Sequence, residues 1–188
     1  MLGFGSLWPQ VIIVTVATFA ASAIFWTVMP WHKGEFKALP DEDAVRRALH
    51  AQGVTEGQWR IPFSENEGDF RSPEFLERFV KGPVGILQLE KPGKFTMGPR
   101  LLKTFLVYFA AAFLTGYLLR HCFMPGEEYL VVFRVAGAFS FGLHAFAQMC
   151  DAIWFAKSWK RVGLQAADSV VYAMLTAGIF ASMWPAAA

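Results

Sequence analysis

Four apolar stretches, residues 10–31, 101–123, 129–155 and 163–184, are each long enough to cross a bilayer. A hydrocarbon core about 30 Å thick needs roughly 20 mostly apolar residues at about 1.5 Å rise, and the first stretch contains no charged residue. The expected fold is an all-α membrane protein, a four-transmembrane-helix bundle with a small α+β insert between helices 1 and 2. The expected organisation is helix 1 and a short outer amino terminus over 1–31, an insert over 32–100, and helices 2–4 over 101–188.

Composition agrees with that placement. Of 188 residues, 55% are hydrophobic and 17% charged, too apolar and too sparsely charged for an ordinary soluble domain. The net charge of +2 is too small to argue for nucleic acid, and no Lys/Arg stripe interleaves with aromatics. Ala21-Ser22-Ala23 resembles a small-residue cleavage site, but no Lys or Arg precedes the run and the apolar stretch continues to Trp31, so a retained helix is expected. Trp8 and Trp31 bracket it as interfacial anchors. Cys122 and Cys150 cannot pair within the chain. The first ends the second span, and the second lies about 19 residues, or roughly 28 Å, down the third.

Lys and Arg are retained on the cytoplasmic side during insertion, so their distribution predicts orientation. Near the span ends, one side carries Lys33, Lys37, Arg46, Arg47, Lys91, Lys94, Arg100, Lys103, Lys157, Lys160 and Arg161, whereas the other carries Arg120 and Arg134. The insert and the loop around 157–161 are therefore expected in the cytoplasm. Both termini are expected outside, which in a bacterium means an inner-membrane, multi-pass protein with periplasmic ends.

Within the insert, Pro40-Asp41-Glu42-Asp43 opens a helical stretch with Ala44, Val45, Ala48 and Leu49 on one face, and Gly53 ends it. Residues 58–63 alternate, placing Trp59, Ile61 and Phe63 on one side of a half-buried strand. Ser72 and Pro73 start a second helix, with Ser72 as its cap, and residues 84–89 form a second strand. His32 and His50 are expected at interfacial, exposed positions, with no second ligand at metal spacing; no metal is expected.

Each span carries its polar and small residues at steps of three or four. Thr15, Thr18 and Ser22 align on the first, and Thr104, Tyr108, Ala111 and Thr115 on the second. Gly137, Ser140, His144, Gln148 and Asp151 align on the third, and Asp168, Tyr172 and Thr176 on the fourth. Packing explains most of this: small residues permit close approach, as at Ala112/Gly116, Ala136/Ser140, Ala173/Ala177 and Gly178/Ser182, and hydroxyls bridge neighbours. His144, Gln148, Asp151, Asp168, Tyr172 and Tyr108 form the candidate intramembrane polar site. An ionised Asp at a span centre costs at least about 2.5 to 3.5 kcal/mol. Asp151 and Asp168 each lie about one turn from a cytoplasmic helix end, near Lys157, Lys160 and Arg161. His144 sits near its helix midpoint, where a hydrogen bond to Gln148, Tyr108 or Tyr172 is the expectation. Met174, at matching depth, makes haem ligation the sharp alternative.

A resemblance adds to this reading. Trp26-Thr27-Val28-Met29-Pro30-Trp31 at the first exit, Leu39-Pro40-Asp41-Glu42-Asp43, Gly82-Pro83-Val84-Gly85 and the ending Ala177-Gly178-Ile179-Phe180-Ala181-Ser182-Met183-Trp184 resemble an uncharacterised family of small bacterial four-helix inner-membrane proteins, known only as a domain of unknown function. The resemblance implies a four-span fold and no known activity, ligand or catalytic residue. Common members have a shorter segment between the first two helices.

No nucleotide loop, metal-ligand cluster or nucleophile elbow occurs, so no catalytic residue and no cofactor is assigned and the chain is expected not to be an enzyme. The leading expectation is a non-enzymatic accessory or scaffold subunit of a membrane assembly. Its partners would be the lipid bilayer and further membrane subunits or copies of itself, with no nucleic acid. The first alternative is a proton-linked or small-solute conduit using the polar stripe of the third helix. The second is a haem- or quinone-binding membrane protein.

Overall fold

The computed structural model describes residues 4–187. In chain order its helices are α1 (Trp8–Thr27), α2 (Glu42–Ala51), α3 (Pro73–Lys81), α4 (Gly98–Cys122), α5 (Tyr129–Phe155) and α6 (Trp159–Ser182), with strands β1 (Gly57–Ile61) and β2 (Gly85–Leu89) on either side of α3. Helices α1, α4, α5 and α6 are long and apolar enough to cross a membrane, and the protein is a multi-pass membrane protein. Two compact units result. One takes the chain up to residue 35, 96–152 and from 157 onward; the other takes 36–95 with 153–156.

The end of the first span and the start of the last differ most from the sequence expectation. The first helix stops at Thr27, and Pro30–His32 forms a separate 3₁₀ turn, because proline supplies no N–H to continue the ladder. The last helix begins at Trp159 rather than 163, after an extended Ser158, and already buries Val162. Asp168 therefore lies about nine residues, or 14 Å, into its helix rather than one turn.

In the helical unit, α1 packs against both α4 and α6. Val11, Leu119, Val132, Ala136, Ala177 and Phe180 form a fully buried core in the half of the unit containing the amino-terminal end of α1. Gly116 makes the α1–α4–α6 approach possible. A Cβ there would lie 3.3 Å from two ring carbons of Phe180 and from Val11 Cγ2. Gly137 does the same between α5 and α6, where a Cβ would sit 3.4 Å from Ala177 Cβ. Gly178 and Ser182 are not such a contact. A Cβ on Gly178 meets nothing within 4 Å, and Ser182 is exposed.

The hydroxyls bridge less than their spacing suggested. Thr15, Thr18, Thr115 and Thr176 each donate to the carbonyl four residues earlier in their own helix. Of the aligned hydroxyls, Ser140 crosses helices, its Oγ donating to Thr176 Oγ1 at 3.2 Å, and so does Tyr172, which meets Ser22 of α1 and Tyr108 of α4. Gln10 Nε2 adds a bond from α1 to the Met183 carbonyl at 2.7 Å.

The second unit is α+β. Asp41 Oδ1 caps α2 by accepting from Ala44 N at 2.8 Å, and Ser72 Oγ caps α3 by accepting from Phe75 N at 3.1 Å. The strands pair antiparallel, from Gly57 opposite Leu89 to Ile61 opposite Gly85. The expected half-buried face is exposed instead: Trp59, Ile61 and Phe63 are 42%, 47% and 61% accessible. A two-stranded ribbon offers too little sheet to bury such a face. Phe75, packed between Phe70 and Phe79, is the buried large apolar residue of this unit among those described.

Candidate functional site

The carboxyl-terminal end of α1, the amino-terminal halves of α4 and α6 and the carboxyl-terminal half of α5 line a half-open cavity of about 310 Å³. The apolar core fills the opposite half. Trp26 of α1, Tyr108 of α4, His144 and Gln148 of α5, and Asp168 and Tyr172 of α6 contribute the functional side chains of the wall. The three-and-four spacing of the helices brings these together by turning one stripe of each inward. Of the six residues proposed from the sequence, all but Asp151 line this cavity.

Three of them form a closed triangle of rings. Tyr108 and His144 have centroids 5.7 Å apart, His144 and Tyr172 5.4 Å, and Tyr108 and Tyr172 5.6 Å, the last two edge to face. The Ser140–Thr176 bond lies one turn beyond His144 and Tyr172 along α5 and α6. Gln165, also in the wall, keeps a buried Oε1 with no hydrogen-bond donor.

Behind Asp168 lies a charged chain. His32 Nε2 is 2.9 Å from Asp168 Oδ2, and His32 Nδ1 is 2.5 Å from Glu35 Oε1. Glu35 Oε2 is in turn 3.1 Å from Arg161 Nε. The side chains of His32, Glu35 and Asp168 are only 3%, 4% and 5% accessible, whereas that of Arg161 is 26% accessible. Trp26 stacks on the His32 ring, with centroids 4.2 Å apart and planes at 6°. His32 is thus buried, contrary to its expected surface position. The 3₁₀ turn after Pro30 carries it back against α6.

Each contact of the imidazole needs a hydrogen between its two atoms. His32, Glu35 and Asp168 therefore hold at least two protons between them, beside the Arg161 guanidinium. A ring whose two nitrogens each face a carboxylate can accept a proton on one side and release one on the other. Buried charges persist only when paired and hydrogen-bonded, as these are.

No protein-family model, curated protein or solved structure matches this chain.

Asp151 stands apart, paired with Lys157 of the α5–α6 loop at partly exposed positions. Met174 is 56% accessible and takes no part in the cavity wall, so it does not converge with His144 on an axial-ligand pair. Cys122 and Cys150 are both free thiols. The sequence reading missed Trp26, Glu35, Arg161 and Gln165 as site residues and misplaced His32. One signal was present: His32 and Glu35 stand three apart just after a helix-ending proline, a spacing that brings side chains together on a tight turn.

Proposed function

We propose that the protein is a proton-linked conduit for a small solute, with the cavity as its binding chamber. One observation carries this reading: Asp168, in the cavity wall, is hydrogen-bonded to a buried histidine that also holds Glu35. A helix-packing scaffold needs neither a cavity nor a buried charged chain, and each ionisable group placed in a span costs free energy that function has to justify.

The proposed mechanism follows from the order of the groups. A proton on Asp168 passes to His32 Nε2 while Nδ1 releases one to Glu35, and Arg161 holds the Glu35 carboxylate at the more exposed end. The chamber has the volume of about ten waters at roughly 30 Å³ each, or of one small organic molecule. The apolar core beyond the ring triangle closes the far half, as alternating access requires of a one-sided state. The Lys/Arg asymmetry supports a chamber on the cytoplasmic side, with both termini periplasmic.

Reconstitution in liposomes containing a pH-sensitive dye tests the reading. An imposed potential is expected to drive proton uptake in the intact protein, with loss of most of it in Asp168→Asn and His32→Gln. Uptake by these variants equal to that of the unaltered chain would sink the relay.

A further inference from the structure

We propose that the chamber selects a small organic cation, an amine or quaternary ammonium; this rests on the reading of the cavity as a solute chamber and names the solute class. Three observations converge on positive charge. Among the described residues, no lysine or arginine lines the cavity, and Asp168 is the one carboxylate in its wall. Gln165, in the same wall, has a buried carbonyl oxygen that lacks a donor, which an N–H of a protonated amine would supply. The aromatic wall supplies the third feature: Trp26, Tyr108 and Tyr172 offer π faces or edges around the same space, and cations are attracted to such faces within about 6 Å of the ring centroid.

The rival classes fit worse. An anion would meet the Asp168 carboxylate and the Gln165 carbonyl oxygen with no cationic side chain to offset them, since Arg161 is engaged by Glu35 and lies outside the wall. A purely apolar molecule would desolvate the same two oxygens without replacing their lost hydrogen bonds. The other titratable groups that share the cavity wall with Asp168 are Tyr172 on α6, Tyr108 on α4 and His144 on α5.

Equilibrium binding to the full chain in detergent tests this without requiring transport. Tryptophan fluorescence, which includes Trp26 in the wall, is titrated with choline, with its neutral isostere 3,3-dimethylbutan-1-ol and with the anion 3,3-dimethylbutanoate. Choline is expected to saturate at least about tenfold more tightly than either analogue and to lose about tenfold in Asp168→Asn. Gln165→Leu, which removes the lone acceptor, is expected to weaken ethanolammonium, whose N–H groups choline lacks, severalfold, and covers the case in which the Asp168 variant fails to fold. Asp151→Asn is expected to bind as the unaltered chain does. Equal or tighter binding of the alcohol or the carboxylate overturns the proposal, and so does a lack of saturation by choline. Selective choline binding without proton flux in liposomes would leave the cation site standing and remove the conduit.

Discussion

His32 Nε2 lies 2.9 Å from Asp168 Oδ2 across a sequence separation of 136 residues, and this contact ties the turn after the first span to the middle of the last. Both side chains are almost fully buried, so removing one leaves the other as an uncompensated polar group. His32→Ala is expected to destabilise the protein by about 3 to 5 kcal/mol, the range for breaking a buried charged pair. His32→Ala/Asp168→Ala is expected to cost clearly less than the sum of the single changes, because the second removes the orphan left by the first. Unfolding in mixed micelles gives the four free energies. Additive losses would show that the contact contributes no coupling.

Close approach at Gly116 makes a second prediction. A Cβ would meet the Phe180 ring and Val11 at 3.3 Å, in a core where both neighbours are fully buried and have little room to shift. Gly116→Val is expected to cost about 1 to 3 kcal/mol through overpacking. Gly178→Val, pointing into open space, is expected to leave stability nearly unchanged. Thermal unfolding in one detergent compares them, and a reversed order would overturn the assignment of interface and outer face.

The bond from Ser140 to Thr176 crosses helices but is modest. Its partner Thr176 keeps its own bond to the Tyr172 carbonyl, so deletion orphans little. Ser140→Ala is expected to lose about 0.6 kcal/mol, the average for such bonds between helices in lipid. A loss several times larger, measured by the same unfolding, would mean the hydroxyl has a further role.

What the sequence made legible follows from periodicity. The third span, 129–155, emerges with its predicted bounds because turn residues precede it and apolar spacing runs unbroken through it. Tyr108, His144, Gln148 and Tyr172 share a wall because steps of three and four put each on the inner face of its own helix. His32 was invisible for the opposite reason. Its partner lies on α6, outside any local window, and its neighbours Trp31 and Lys33 have the composition of an interfacial loop. The start of α6 was masked by Lys160 and Arg161, which look like loop residues although the turn they occupy is helical and buries Val162 on its other side. Trp59, Ile61 and Phe63 alternate as a strand should, but alternation fixes which side chains share a face and says nothing about whether another layer covers it.

The two intramembrane aspartates separate in function although their sequence positions made them look alike. Asp151 pairs with Lys157 with both side chains about a third exposed, where an ion pair contributes only about 0 to 1 kcal/mol. Asp168 is buried, lines the cavity and is held by His32. Asp151→Asn is therefore expected to change stability by less than about 1 kcal/mol and to leave proton uptake by liposomes intact. Asp168→Asn keeps the shape of the side chain while removing the charge and the exchangeable acid, so it is expected to abolish uptake in a protein that still folds. Because the two variants make the same chemical change about 17 residues apart, differing only in placement, a general effect of neutralising an aspartate in the membrane would reduce both alike. Loss of uptake in Asp151→Asn with retention in Asp168→Asn would move the proton path from the cavity to the α5–α6 loop.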